Sequence, residues 1–391
     1  MKIKTISGVT LFLLIASFAT AQIPCGPTIS PLPTLFVNWS QFRYDTQHTA
    51  CNPYETILSS KTVGNLALDW TYPAGAHVFQ DPAVANGLVY FSSDYPDNTL
   101  YAVDAATGAL VWKYVGAGQT YFSAPVVVNN IVYVGALHQS AVYAFKASTG
   151  ELLWQYATAW VVESAPTVAN GVLYIGDGNG TLYALNAATG TLLWTYAVPS
   201  DEIVSSPTVA NGVIYFVSVY PIYPNWSTTL YALNASSQQV MWHYKWSDLI
   251  GGTPVAGPGA VYFNSTAFKA NTGGILWTSQ TYFNSLPALA NGVLYVGSDD
   301  NAVYALNANT GTVRWRFGTG NSVYSSPSVA NGVVYAESND GNLYALDAST
   351  GSMLWQYAVS PSSASSPAIA NGKVYIGSEN ATLYAFHLPE Q

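Results

Sequence analysis

From residue 66 onward the chain is a succession of short apolar runs rich in Val, Tyr, Leu and Trp, each closed by turn residues. One unit, residues 164–196, reads SAPTVANGVLYIGDGNGTLYALNAATGTLLWTY and divides into four such runs, each of which predicts a strand. Eight tryptophans recur at one point of this pattern: Trp70, Trp112, Trp154, Trp194, Trp242, Trp277, Trp315 and Trp355. Their spacing averages about 41 residues, the length of one propeller blade. The expected fold class is therefore all-β, a β-propeller of eight four-stranded antiparallel blades. The tryptophan falls on the outermost strand, where an indole fills the gap between wedge-shaped neighbours.

The turns support the same division. Asn170-Gly171 joins the first two runs, and Asn86-Gly87, Asn211-Gly212, Asn291-Gly292, Asn331-Gly332 and Asn371-Gly372 repeat it. A type I′ hairpin needs positive φ at both central positions, which this pair tolerates. Between the third and fourth runs the pattern is Asn186-Ala187-Ala188-Thr189-Gly190, with an Asx cap and a glycine in the left-handed position. Eight prolines, Pro82, Pro125, Pro166, Pro207, Pro254, Pro287, Pro327 and Pro367, mark the first strand. Proline tolerates an edge strand or a strand end, so this strand is placed innermost, along the axis. The last unit stops after its third strand, whereas the strand around Trp70 has no three strands before it. The first strand should complete the eighth blade and close the ring without a free sheet edge. An open solenoid of the same repeats is the alternative.

The expected domains are a signal peptide over residues 1–21, an N-terminal extension over 22–64 and the propeller over 65–391. Lys2 and Lys4, the apolar run 9–18 and Ala19-Thr20-Ala21 have the layout of a cleaved export signal. That run is about half of the roughly 20 residues a spanning helix needs, which argues against the rival reading of a membrane anchor. Without Lys2 and Lys4 the chain carries 9 basic and 20 acidic groups, a net charge of −11 (9 − 20), so nucleic acid is a poor partner. Only 8% of residues are charged, which suits a secreted, periplasmic or cell-surface protein whose Ser, Thr, Asn and Tyr keep the surface wet. A monomer is expected. Cys25 and Cys51 are the only cysteines, and in an oxidising compartment they read as one disulfide, with two unpaired thiols as the alternative.

The Ala-x-Asn/Asp-Ala-x-Thr-Gly-x-x-x-Trp turn and strand and the Ser-x-Pro inner strand resemble the repeats of the pyrroloquinoline-quinone-like propellers. That family includes quinoprotein dehydrogenases and the outer-membrane assembly scaffold of the β-barrel machinery. The opening Asn38-Trp39-Ser40-Gln41-Phe42-Arg43 through Val63-Gly64-Asn65-Leu66 also looks like that family. The repeat speaks to fold and not to chemistry, because its tryptophans hold blades together. WD-type propellers, the nearest rival, carry Trp-Asp and Gly-His pairs that do not recur here.

A quinone-dependent dehydrogenase needs calcium, an aspartate base and donors that polarise the quinone. The resemblance associates this chemistry with an adjacent Cys-Cys pair and a Gly-Glu loop followed by Arg-Gly. Here the cysteines are far apart, and the corresponding loop is Gly176-Asp177-Gly178-Asn179-Gly180. Asp177, Asp299, Asp300 and Asp340 lie in hairpins and read as turn residues. His48, His77, His138, His243 and His387 show no metal spacing, and no Cys-x-x-Cys-His haem site, Gly-x-Ser-x-Gly or phosphate loop occurs. No catalytic residue, metal ligand or cofactor is assigned, and pyrroloquinoline quinone with calcium stays the runner-up.

The Asn-Gly and Thr-Gly turns fall on one face and hardly change between blades, whereas the connections on the opposite face vary. Recognition is expected on the variable face. Its candidates are Tyr220, Tyr223 and Trp226 in the longest insertion, Trp160 and Trp246 in loops entering the next blade, and Phe79, Phe122, Glu163, Glu202, Tyr282 and Tyr324 near the axis. The leading expectation is a non-enzymatic binding or scaffold propeller for a protein or small ligand, with a cell-surface glycan binder as a further class. The plainer alternatives are aromatics packed on their own blades and a solvated Glu163.

Overall fold

The computed structural model describes residues 38–117, 122–222, 224–281, 283–359 and 365–389. Tyr223 and Tyr282, the expected export signal and Cys25 lie outside these residues. Eight antiparallel sheets form, one per repeat. In blade three the strands are Thr167–Ala169, Val172–Gly176, Thr181–Asn186 and Leu192–Ala197, ordered from the axis outward. The inner strands touch one another in sequence, and Ala83–Ala85 of blade one meets Ala368–Ala370 of blade eight. The outer strand of blade eight is Ala67–Pro73, which pairs antiparallel with Thr382–His387, Trp70 opposite Ala385. The ring is closed by joining the two ends of the repeat array.

The turn chemistry behaves as its residues require. Asn170 and Gly171 have φ of 50° and 78°. Asn186 Oδ1 accepts from the N–H groups of Ala188 and Thr189 at 3.0 and 3.1 Å. Gly190, at φ 71°, is needed twice over, since a Cβ there would lie 2.6 Å from the indole of Trp154. That indole therefore stacks on the Thr-Gly turn of the following blade and donates its N–H to Ala187 O at 3.1 Å. The same bond links Trp70 to Ala105, Trp112 to Ala147, Trp242 to Ala270, Trp277 to Ala308 and Trp315 to Ala348. Trp355 closes the series on Leu66 O. Trp194 lies tilted against Tyr174 in blade three. Each repeat tryptophan follows a β-bulge within its strand, and in blade two the bulge leaves the consecutive Leu152 and Leu153 both exposed.

The N-terminal extension builds something the repeats do not announce. An inner strand has no neighbour on its axial side, so the N–H two residues after each proline needs an acceptor. Residues 39–52 supply partners to all eight blades in turn. Trp39 exchanges both backbone bonds with Val84, and Ser40 O accepts from Val127 N–H at 2.6 Å. The Gln41 side chain bonds Val168, and the carbonyls of Thr46, Gln47, Thr49 and Ala50 accept from Val209, Ala256, Leu289 and Val329. Asn52 Nδ2 finishes the circuit on Ile369 O at 2.7 Å. This strap runs round the inside of the ring on the Asn-Gly side and closes the axis there. Cys51 lies buried in it, opposite Val329.

Candidate functional site

Beneath the strap the axis holds charge. Arg43 is 1% exposed and donates through Nη2 to the carbonyls of Pro287 and Pro327 at 3.0 and 3.1 Å. Burial lowers its pKa to about 10, against the pull of Asp81 and Asp45, so it stays a cation at neutral pH. Asp45 accepts from Thr49 and Gln47 N–H, and burial raises its pKa. His48 is wholly buried between Thr167 and Thr208. Because the Thr208 hydroxyl donates to Pro254 O, its oxygen accepts from His48 Nδ1–H at 2.9 Å, and Nε2 accepts from Thr167 at 3.1 Å. Burial, then Arg43, pushes the imidazole down to about 3.

Above this level the residue before each inner proline forms a ring: Asp81, Ala124, Ala165, Ser206, Thr253, Leu286, Ser326 and Ser366. Several side chains in it accept from the preceding blade: Ser206 from Ala165 N–H, Thr253 from Ser206, Ser326 from Leu286, Ser366 from Ser326. Asp81 accepts from Ser366 N–H at 2.8 Å. It is the one carboxylate of the ring, raised by burial and lowered in part by Arg43. The Ser-x-Pro motif points to the serine one position earlier and not to this ring. Those serines bond inward to their own blade, as when Ser285 Oγ accepts from Gly297 N–H at 2.7 Å.

The candidates on the variable face divide. Trp160, Trp226 and Tyr324 are exposed at 58, 41 and 51%. Tyr220 is half-buried at the end of Val213–Tyr220, one of the two eight-residue strands of blade four, paired with Ser227. Glu163 is exposed, and Glu202 is half-buried and paired with Val219. Burial and then the neighbouring Glu163 raise the Glu202 pKa. Phe79 is half-buried, edge-on to His77 at 5.1 Å. Phe122 leaves the face: at 2% exposure it bridges to Ala136 and packs against Tyr114 and Tyr143, because blade two draws its lead-in segment onto the sheet. Trp246 is likewise half-buried, against Tyr244, Phe263 and Phe268. The hairpin acids are turn anchors: Asp177 Oδ1 accepts from Asn179 and Thr181 N–H, and Oδ2 from the Tyr183 hydroxyl at 2.9 Å.

A calcium-held quinone does not fit these residues. Among the described residues no three His, Cys, Asp or Glu side chains come together as metal ligands. The ring's single carboxylate is one buried acid within electrostatic reach of the Arg43 guanidinium.

The repeats match a family model described as outer membrane protein assembly factor BamB over residues 64–160, 138–266 and 264–389. No curated protein matches. Among solved structures, a europium-containing methanol dehydrogenase is 15% identical, with a TM-score of 0.76 over 90% of this chain and 98% of that one. The quinohemoprotein alcohol dehydrogenase of Comamonas testosteroni is 16% identical, with a TM-score of 0.71 over 91% and 82%. The computationally designed Ika8 protein is 16% identical, at 0.70 over 82% and 99%. Such identities speak to the fold alone. The three family matches together span nearly every blade, and the chain belongs to the pyrroloquinoline-quinone-like β-propeller family that this BamB model describes.

Proposed function

We propose that this protein is a non-enzymatic extracytoplasmic binding or scaffold propeller whose contacts are made by the variable face. The observation that carries the reading is the strap. It bonds the inner strands of all eight blades, so the chain's own segment engages the inside of the ring, while the large differences between blades lie in the variable connections. Blade four rises there as a hairpin of two eight-residue strands, Val213–Tyr220 and Ser227–Asn234, with Trp226 exposed at its crest. The reading includes export after signal cleavage, a Cys25–Cys51 disulfide and a monomer.

The methanol dehydrogenase and the quinohemoprotein alcohol dehydrogenase that share this fold favour a second reading, a quinone-dependent oxidoreductase. Titration of the purified protein with pyrroloquinoline quinone and calcium separates the two. The expected result is no stoichiometric binding and no alcohol-dependent dye reduction; tight binding with dye reduction would overturn the proposal. If the ligand is a glycan, Trp226→Ala loses retention on a glycan array while keeping the wild-type melting curve.

A further inference from the structure

Blade five is built differently from its neighbours. Its second and third strands, Ala260–Phe263 and Thr266–Lys269, have four residues each and meet in a tight Asn264-Ser265 turn at φ 46° and 57°. Blade six uses six residues in each, Val293–Ser298 and Ala302–Asn307, and blade four uses eight. At roughly 3.4 Å per residue blade five stops about 7 Å short of blade six and about 14 Å short of blade four. The lead-in to its inner strand is also stripped. Gly251-Gly252 stands where six other blades carry a serine two residues before the proline. Gly252 has φ 120°, and a Cβ there would meet Leu286 and Phe263.

The shortfall leaves a cavity of about 340 Å³ on the variable face, reaching Thr253 and Leu286 of the axial ring. Leu286 is the one large apolar side chain in that ring, where the other blades place Asp, Ala, Ser or Thr. Ile250, Phe263 and Phe283 give apolar walls, and Asn264 and Asn284 supply amides. No charged side chain lines the cavity among the described residues. Small-molecule sites begin near 300 Å³ and combine apolar walls with a few polar groups, a description this cavity meets at its small end.

We infer that the notch over blade five is a binding site for a small neutral aromatic molecule, one ring bearing a hydroxyl or carboxamide. Aromatic walls take the ring, and the Asn264 amide with the carbonyl oxygen of Asn284, whose Nδ2 is held by Asp299, takes its polar group. An anionic ligand would lose hydration without finding a counter-charge and would approach the Asp299 carboxylate behind Asn284. The inference deepens the proposed use of the variable face and rests on it.

Gly251 gives the test. A Cβ there meets nothing within 4 Å and its φ is ordinary, so Gly251→Trp places an indole at the mouth without strain. Benzamide and p-cresol are titrated by ligand-observed NMR, with benzoate and benzylamine as charged analogues. The expected result is saturable binding of the neutral probes, weakened at least about tenfold by Gly251→Trp and little changed by Leu152→Ala on the exposed outer strand of blade two. Leu286→Ala, which removes the floor, serves if the tryptophan variant fails to fold and is expected to weaken binding about as much. No binding at about 10 mM, equal binding of benzoate, or a Gly251→Trp affinity within about twofold of wild type would overturn the inference. The quinone titration runs in parallel, so collapse of the binding-propeller reading is told apart from collapse of the pocket.

Discussion

His48 should make this propeller acid-labile. Its folded pKa is about 3 against an ordinary value of 6.5, so the folded state binds fewer protons than the unfolded chain between those values. Stability from such a group is complete above pH 6.5 and falls by about 1.4 kcal/mol per pH unit as the solution is acidified toward pH 3. Between pH 7 and 4.5 the loss comes to about 2.5 kcal/mol. Asp45 and Asp81 oppose it: burial raises both, so each holds its proton better when folded and adds stability as pH falls. Comparison with His48→Gln removes their contribution, because both proteins keep the two acids, and a glutamine amide can still bond Thr167 and Thr208. Urea denaturation at pH 7 and 4.5 should show the wild type losing about 2.5 kcal/mol more than the variant. Equal losses would refute the assignment of a buried imidazole that stays neutral in the folded state.

Three further expectations concern the framework. Gly150→Ala should cost about 1–3 kcal/mol more than Gly212→Ala by thermal denaturation, for both glycines have positive φ but only the first would drive a Cβ to 2.7 Å from an indole, that of Trp112. Glu55→Ala should lower stability by about 2–4 kcal/mol, seen in the urea midpoint, because this buried carboxylate accepts from Ile57, Leu58 and, across to blade eight, Gly372. The protein denatured without reductant should bind no thiol reagent, and should bind two equivalents after reduction, if Cys25 and Cys51 are paired.

The ring was readable because its signals are local. An Asn-Gly pair, a Thr-Gly turn and a tryptophan each act within one hairpin, and their repetition fixes blade number and closure. The strap was opaque because most of its bonds to the inner-strand N–H groups come from backbone carbonyls, which any sequence possesses; Gln41, Arg43, His48 and Asn52 add side-chain bonds from scattered positions. Phe122 misled for a related reason. It occupies the same position before the proline as Phe79, Glu163 and Tyr324, yet a single bridge to Ala136 folds it inward. The notch over blade five left a trace in spacing: Pro254 precedes Trp277 by 23 residues, whereas Pro166 precedes Trp194 by 28.

Joining blade eight from both ends of the chain imposes an order of assembly. The strand Ala67–Pro73 leaves the ribosome before any blade exists, and its hydrogen-bonding partner Thr382–His387 is made last of all. A nascent chain that stops short of Thr382 carries an outer strand with nothing to pair against and a lining strap whose eighth anchor, Ile369, has no finished sheet behind it. Completion of the molecule is thus a single late event, and premature termination yields an open row of sheets with raw edges.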